Sequence, residues 1–138
     1  MQQALLQAQE AAKLGEVPIG AVVVKDGQVL GRCHNRRELD QDPSSHAEMH
    51  AIRQACAQMG SWRLEGAELF VTMEPCLMCY GASHHTRLKR IVYGCENDKN
   101  PELLREVYQR WPKGPVLQGG VLVDECVQCL QVFFKQLR

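Results

Sequence analysis

Two short stretches hold most of the residues able to do chemistry. In SSHAEMHAIRQA, Ser44 to Ala55, His46 and His50 lie four residues apart with Glu48 between them. On a helix both histidines share one face. A zinc protease of the H-E-x-x-H type has its glutamate directly after the first histidine. Here Ala47 intervenes, so the spacing is wrong for that chemistry. In MEPCLMCYG, Cys76 and Cys79 form a C-x-x-C. Alone, such a pair fits a redox couple, half a zinc finger or two core residues. Pro75 places it at a helix start, where the thiolate is favoured. His46 also falls in the first turn of a helix that follows a loop. Side chains there lean back towards the N-terminus. Two helices meeting end-on would gather His46, Cys76 and Cys79 around one ion.

Three protein ligands with an open fourth position is the catalytic arrangement of zinc, not the closed structural one. The ion brings its water near to ionisation at neutral pH. Glu48, two positions after a ligand, can reach that water without binding the metal and can carry protons. A capping box with Ser45 competes for the same carboxylate. His50 lies further down the helix and points away from the site. It reads as a packing histidine, or as one that supports the ligands from behind.

These residues need elements to hold them. Apolar residues at helical spacing in Met1 to Leu14, stopped by Gly15, predict a first helix. IGAVVVKDGQVLGRC predicts two strands around Asp26-Gly27. Asn35 to Pro43 reads as a polar loop, and Ser44 or Ser45 as the cap of a helix running to Gly60. Ala67 to Met73 predicts a buried strand, followed by the C-x-x-C helix and the strand KRIVYGC. A loop and a short helix from Pro101, a short strand at PVLQ and a last helix on the stripe Leu122, Cys126, Cys129, Leu130, Phe133 and Leu137 complete the chain. Alternating strands and helices imply a sheet covered on both faces.

The length of 138 residues suits a single domain, 1–138, and 45% apolar residues suffice for a core. Sixteen basic and sixteen acidic residues cancel, so nothing global demands a phosphate partner. The N-terminus lacks the pattern of a secretory signal, and no apolar run approaches membrane-spanning length. Seven cysteines, an odd number, argue against a disulfide framework. The expectation is a cytoplasmic protein with no membrane partner. Cys126 and Cys129 lie too far along the chain from the first pair for a zinc ribbon and read as buried, as do Cys33, Cys56 and Cys95.

H-x-E with P-C-x-x-C is the pattern of zinc deaminases that act on nucleobases. The chain resembles the cytidine-deaminase-like superfamily, and within it most nearly the tRNA adenosine deaminases. The likeness runs through EVPIGAVVV at Glu16, HNR at His34, DPSSHAE at Asp42, TMEPCLMCYGA at Thr72, RIVYGC at Arg90 and GGVLVDEC at Gly119. It implies a three-layer α/β/α sandwich around a five-stranded mixed sheet, a homodimer or larger assembly, and one Zn2+ per chain. By position, His46, Cys76 and Cys79 match the zinc ligands and Glu48 the proton shuttle. Asn35 matches a pocket asparagine that contacts the base. The resemblance places the backbone N–H of Ala47 against substrate and puts Ile19 and Ala21 on the strand that walls the pocket. His85 matches a histidine of the tRNA enzymes, and His84 beside it becomes a candidate for the pocket rim.

The sequence also departs from those enzymes. Segment 96–114, ENDKNPELLREVYQRWPKG, replaces a loop that they make rich in glycine and alanine. The basic tail that they tend to carry is absent, and Ser83 and His84 replace residues commonly apolar. These departures favour a small substrate: a free base, a nucleoside or a related aminated heterocycle. A tRNA wobble-adenosine deaminase is the alternative, with Arg36, Arg37, Arg53, Arg63, Arg87, Lys89 and Arg90 as a possible phosphate patch. A non-catalytic zinc-stabilised binding module is the alternative of another class. Trp111, inside the departing segment, is a candidate cover for the pocket.

Overall fold

The chain opens with helix α1, Gln2–Lys13, and a hairpin of β1, Gly20–Lys25, and β2, Gln28–His34. A four-residue helix α2, Arg37–Asp40, precedes α3, Ala47–Met59. Then follow β3, Glu68–Met73, α4, Leu77–His85, and β4, Arg90–Cys95. Helix α5, Pro101–Arg110, strand β5, Val116–Gln118, and helix α6, Val123–Gln136, complete it. This computed structural model describes residues 1–111 and 113–138.

The strands form one sheet in the order β2-β1-β3-β4-β5. The hairpin pairs antiparallel, as does β1 with β3, while β3, β4 and β5 run parallel. The result is the expected mixed α/β sandwich. The hairpin turns at Asp26 and Gly27, with φ of +50° and +75°. Two positive φ angles are what a two-residue turn needs to match the twist of its strands, and Asp-Gly is a sequence that accepts them.

Side chains alternate across the sheet. Ala21, Val23, Leu69, Val71 and Ile91 are fully buried and pack with Ala47, Ala51, Ile52 and Ala55 of α3 and with Tyr80 of α4. On the other face α1 packs against the hairpin and α6 against β4. Glycines allow these close approaches. A Cβ on Gly31 of β2 would overlap the carbonyl oxygen of Ala51 on α3, and one on Gly94 of β4 would overlap Cys126 on α6.

Helix α5 lies against α4 through aromatic rings. Tyr108 sits 4.4 Å from Tyr80, centroid to centroid, and Trp111 6.0 Å. Trp111 therefore covers α4 and is not a lid on the pocket. A second departure from expectation falls at Asn35 to Pro43, read above as loop. Residues 37–40 form α2 because Asp40 closes a turn on the Arg36 carbonyl and its carboxylate pairs with Arg36 at 2.9 Å. Neither contact has a signature in hydrophobic periodicity.

The approach of α3 to β2 gives a direct test. Gly31→Ala is expected to destabilise the protein by about 1–3 kcal/mol, because the obstacle is helix backbone and not a movable side chain. Urea denaturation against wild type measures it.

Candidate active site

His46 is the N-cap of α3 and Cys76 the N-cap of α4, both with extended backbone. Strands β2 and β3, both antiparallel to the β1 between them, run the same way, so the chain leaves each at the same end of the sheet to enter α3 and α4. Cys79 stands in the first turn of α4, fully buried. His46 Nδ1 lies 3.6 Å from Cys76 Sγ and 3.5 Å from Cys79 Sγ. The three donor atoms all fall within 4.8 Å of one another. Among the described residues no other His, Cys, Asp or Glu joins the cluster. One imidazole and two thiols on rigid helix starts fit a tetrahedral zinc ion with a fourth position open.

The three donor groups perturb one another. The Cys79 thiol, then His46, hydrogen-bond to Cys76 and pull its pKa down to about 4. The same contact with Cys76, together with burial, pushes Cys79 up. His46 is raised, chiefly through its bond to Cys76.

Glu48 is 4% exposed and lines the same cavity as His46 and Cys76. Burial pushes its carboxyl up to about 7. The capping box does not compete for it. The α3 cap has no side-chain hydrogen bond, because both serines are engaged elsewhere. Ser45 Oγ donates to Asp40 Oδ2 at 2.9 Å, and Ser44 Oγ to Asp42 Oδ1 at 2.8 Å. His50 faces Asp40, Nε2 to Oδ2 at 3.3 Å, on the side away from the metal cluster. That contact satisfies the distance of an ion pair but not hydrogen-bond geometry, and His50 Nε2 has no hydrogen-bond partner. It belongs to the support of the His46 loop.

The cavity has a volume of about 580 Å³ and holds Asn35, Ile19 and Ala47 besides Glu48. Ala21 is not on its wall. It points from β1 into the sheet–helix core at 0% exposure, one strand period beyond Ile19. His84 and His85 also lie off the cavity. His84 stacks on Trp111 at 4.1 Å and 20°, and His85 meets the same ring edge-on at 5.8 Å. Trp111 covers His84, while His85 stays exposed at the end of α4.

Several cavity residues carry no signal in the sequence. Val17, Met73, Glu74, Asn97, Asp98, Leu130 and Phe134 come from four separate segments. Glu74 proves structural, as its place before Pro75 implies: it accepts from the Asn97 backbone N–H at 3.1 Å and from Tyr108 Oη at 3.3 Å. It thereby ties the 96–114 segment to the rim. All seven cysteines are free. Cys126 is buried against Gly94 and Cys95 is buried too, but Cys129, Cys33 and Cys56 are only half-buried, so the core reading holds for two of these five.

This site, with a buried acid beside a His-Cys-Cys cluster at the wall of a solvent-open cavity, is the arrangement of a deaminase. The chain belongs to the MafB19-like deaminase family, which matches residues 1–138. It is 43% identical over 144 residues to the tRNA-specific adenosine deaminase of Bacillus subtilis, covering 100% of this chain and 88% of that one. A solved structure from work on A-to-I editing by tRNA:A34 deaminases superposes with a TM-score of 0.87 at 38% identity, covering 94% of this chain and 97% of that chain. The guanine deaminase of Bacillus subtilis superposes with a TM-score of 0.68 at 37% identity, over 74% of this chain and 66% of that one. The protein is accordingly an enzyme acting on C–N bonds.

The donor set predicts a spectroscopic result. The protein reconstituted with Co2+ is expected to show thiolate-to-metal charge transfer and tetrahedral d–d bands at one equivalent. Cys76→Ala should lose stoichiometric binding, since two ligands with an open position do not hold the ion. Retention of full stoichiometry by that variant would remove Cys76 from the donor set.

Proposed function

We propose that this protein is a zinc-dependent tRNA adenosine deaminase that converts adenosine to inosine at the wobble position. The observation that carries the reading is the His46–Cys76–Cys79 cluster with buried Glu48 on the same cavity wall. The choice of substrate rests on the relatives. At 36–43% identity over 98–100% of the chain, those of Bacillus subtilis and Aquifex aeolicus both bear the name tRNA-specific adenosine deaminase. The departures in segment 96–114 argue instead for a small free substrate, and the relatives outweigh them. Much of that segment is the α5 helix, whose Tyr108 and C-cap Trp111 pack on Tyr80 of α4. Among its described residues only Asn97, Asp98 and Lys99, near its start, reach the cavity.

In this reading His46, Cys76 and Cys79 hold one zinc ion. When bound, the ion supplies Lewis-acid activation of a water molecule. Glu48 takes the proton from that water and passes it to the ring nitrogen next to the amine-bearing carbon. It then delivers a proton to the leaving amine. The C–N bond breaks, a C=O bond replaces it, and ammonia departs, so that amine plus water gives carbonyl plus ammonia. Burial of Glu48 suits a group that must both take and give a proton near neutral pH. Asn35 and the Ala47 N–H orient the base, and Ile19 closes its apolar side.

Glu48→Gln is expected to retain metal and lower kcat by at least about 10²-fold, read by inosine formation in an anticodon stem-loop. Full activity would eliminate Glu48 as the shuttle. An ammonia-release panel of free adenine, guanine, cytosine, their nucleosides and the stem-loop decides the substrate. Turnover of the stem-loop alone, falling as salt rises, is the expected pattern. Preferential turnover of a free base would overturn the tRNA reading. A fold that unfolds on chelation and turns over none of the panel would favour the non-catalytic zinc module.

A further inference from the structure

Glu16 has no role in the chemistry above, yet it is 1% exposed and carries no cation partner among the described residues. A buried carboxylate is costly unless its oxygens are fully bonded. Both are. Oε1 accepts from the backbone N–H of Leu39 at 2.7 Å, and Oε2 accepts from Asn35 Nδ2 at 3.0 Å. Glu16 is brought there by the end of α1. Gly15, at φ +78°, closes the helix, and the Glu16 N–H donates back to the Ala11 carbonyl at 3.0 Å. This is the glycine-terminated stop in which the chain leaves the helix at a set angle. Asn35 is anchored from a second side by its own N–H, which donates to the Ile19 carbonyl at 2.9 Å.

We propose that Glu16 is a positioning residue that fixes which end of the Asn35 amide faces the substrate, and so takes part in choosing the base. The proposal rests on the reading of Asn35 as a base contact. A carboxylate can only accept hydrogen bonds, so the amide nitrogen of Asn35 must face Glu16. With the nitrogen held there, the amide oxygen and the remaining N–H keep one arrangement towards the cavity. The direction matters, because adenine and guanine differ at position 6 by a donor against an acceptor. An amide free to turn over would offer either pattern.

Glu16→Gln is nearly isosteric and reverses this logic. The Leu39 N–H still requires an acceptor, so the new amide keeps its oxygen there. Its nitrogen then faces Asn35 Nδ2, donor against donor, and only rotation of Asn35 relieves the clash. That rotation exchanges donor and acceptor in the cavity.

The test is a double-mutant cycle with Asn35→Ala, read as kcat/KM alongside metal content and Tm. Glu16→Gln is expected to lose about 10- to 100-fold in kcat/KM with metal retained. In the Asn35→Ala background the same change should alter kcat/KM by less than about twofold. Equal losses in both backgrounds would overturn the proposal and leave Glu16 as loop support. A second measurement needs neither a variant nor a substrate. The Asn35 side-chain amide protons of the wild-type protein should exchange slowly with solvent by NMR, and exchange at the rate of an exposed asparagine would also overturn it. If the panel identifies another aminated ring as the substrate, the tRNA reading falls. The cycle is then run on that ring, and Glu16 is judged separately.

Discussion

The site depends on one constraint: two helices from different parts of the chain must begin at the same point. His46 and Cys76 are the cap residues of α3 and α4, thirty positions apart in sequence. Each helix is held to the sheet by its own apolar face. Ala47, Ala51, Ile52 and Ala55 hold α3, and Tyr80 holds α4. The pairing of β1 with β2 on one side and with β3 on the other then determines where α4 starts relative to α3. Any slip in that register would carry Cys76 and Cys79 away from His46. The metal cluster is therefore a consequence of sheet register and of the small residues that let α3 lie close. Gly31 is the clearest of these, since any side chain there would strike the α3 backbone.

A second tier of contacts holds the entrance of α3. Asp40 binds Arg36 and Ser45 and faces His50, while Asp42 binds Ser44. This polar lattice replaces the ordinary serine cap of a helix. In doing so it leaves Glu48 outside a capping box with Ser45, on the wall of the cavity beside His46. The conversion of α2 from expected loop to helix is part of the same lattice. Much of the binding pocket is likewise tied by carboxylates with structural work: Glu16 to Asn35 and Leu39, Glu74 to Asn97 and Tyr108. In a chain with no net charge, these acids organise backbone and amide donors in place of pairing with lysine or arginine.

The departing segment takes a different meaning once its packing is known. Its sequence looks unlike a loop that serves RNA. Its helix α5 nevertheless lies on α4, where Tyr108 and Trp111 cover Tyr80 and Trp111 stacks on His84. The segment buttresses the cysteine-bearing helix, and its first few residues alone line the cavity. Divergence there changes how α4 is supported more than what the cavity presents to a base.

The elements and the chemistry were legible in the amino-acid sequence because each has a local signal. Asp26-Gly27 marks the hairpin, Gly60 ends α3, Pro75 starts α4, and the spacings H-x-E and C-x-x-C belong to chemistry set within a single helical turn. Ala21, His84, His85 and Trp111 were not legible in the same way. Whether such residues meet the pocket depends on which face of a strand or helix a distant element occupies. Trp111 took the side of α4 bearing His84 and His85, and Ala21 fell on the core side of β1. Asn97, Leu130 and Phe134, brought to the cavity from segments far apart, were invisible for the same reason. Short-range geometry paired Cys76 with Cys79 and set Glu48 two residues from His46, while the packing of α3 and α4 brought the two pairs together. Only tertiary packing decided which residues enclose them, because burial and proximity are properties of the assembled sheet and not of any one stretch of chain.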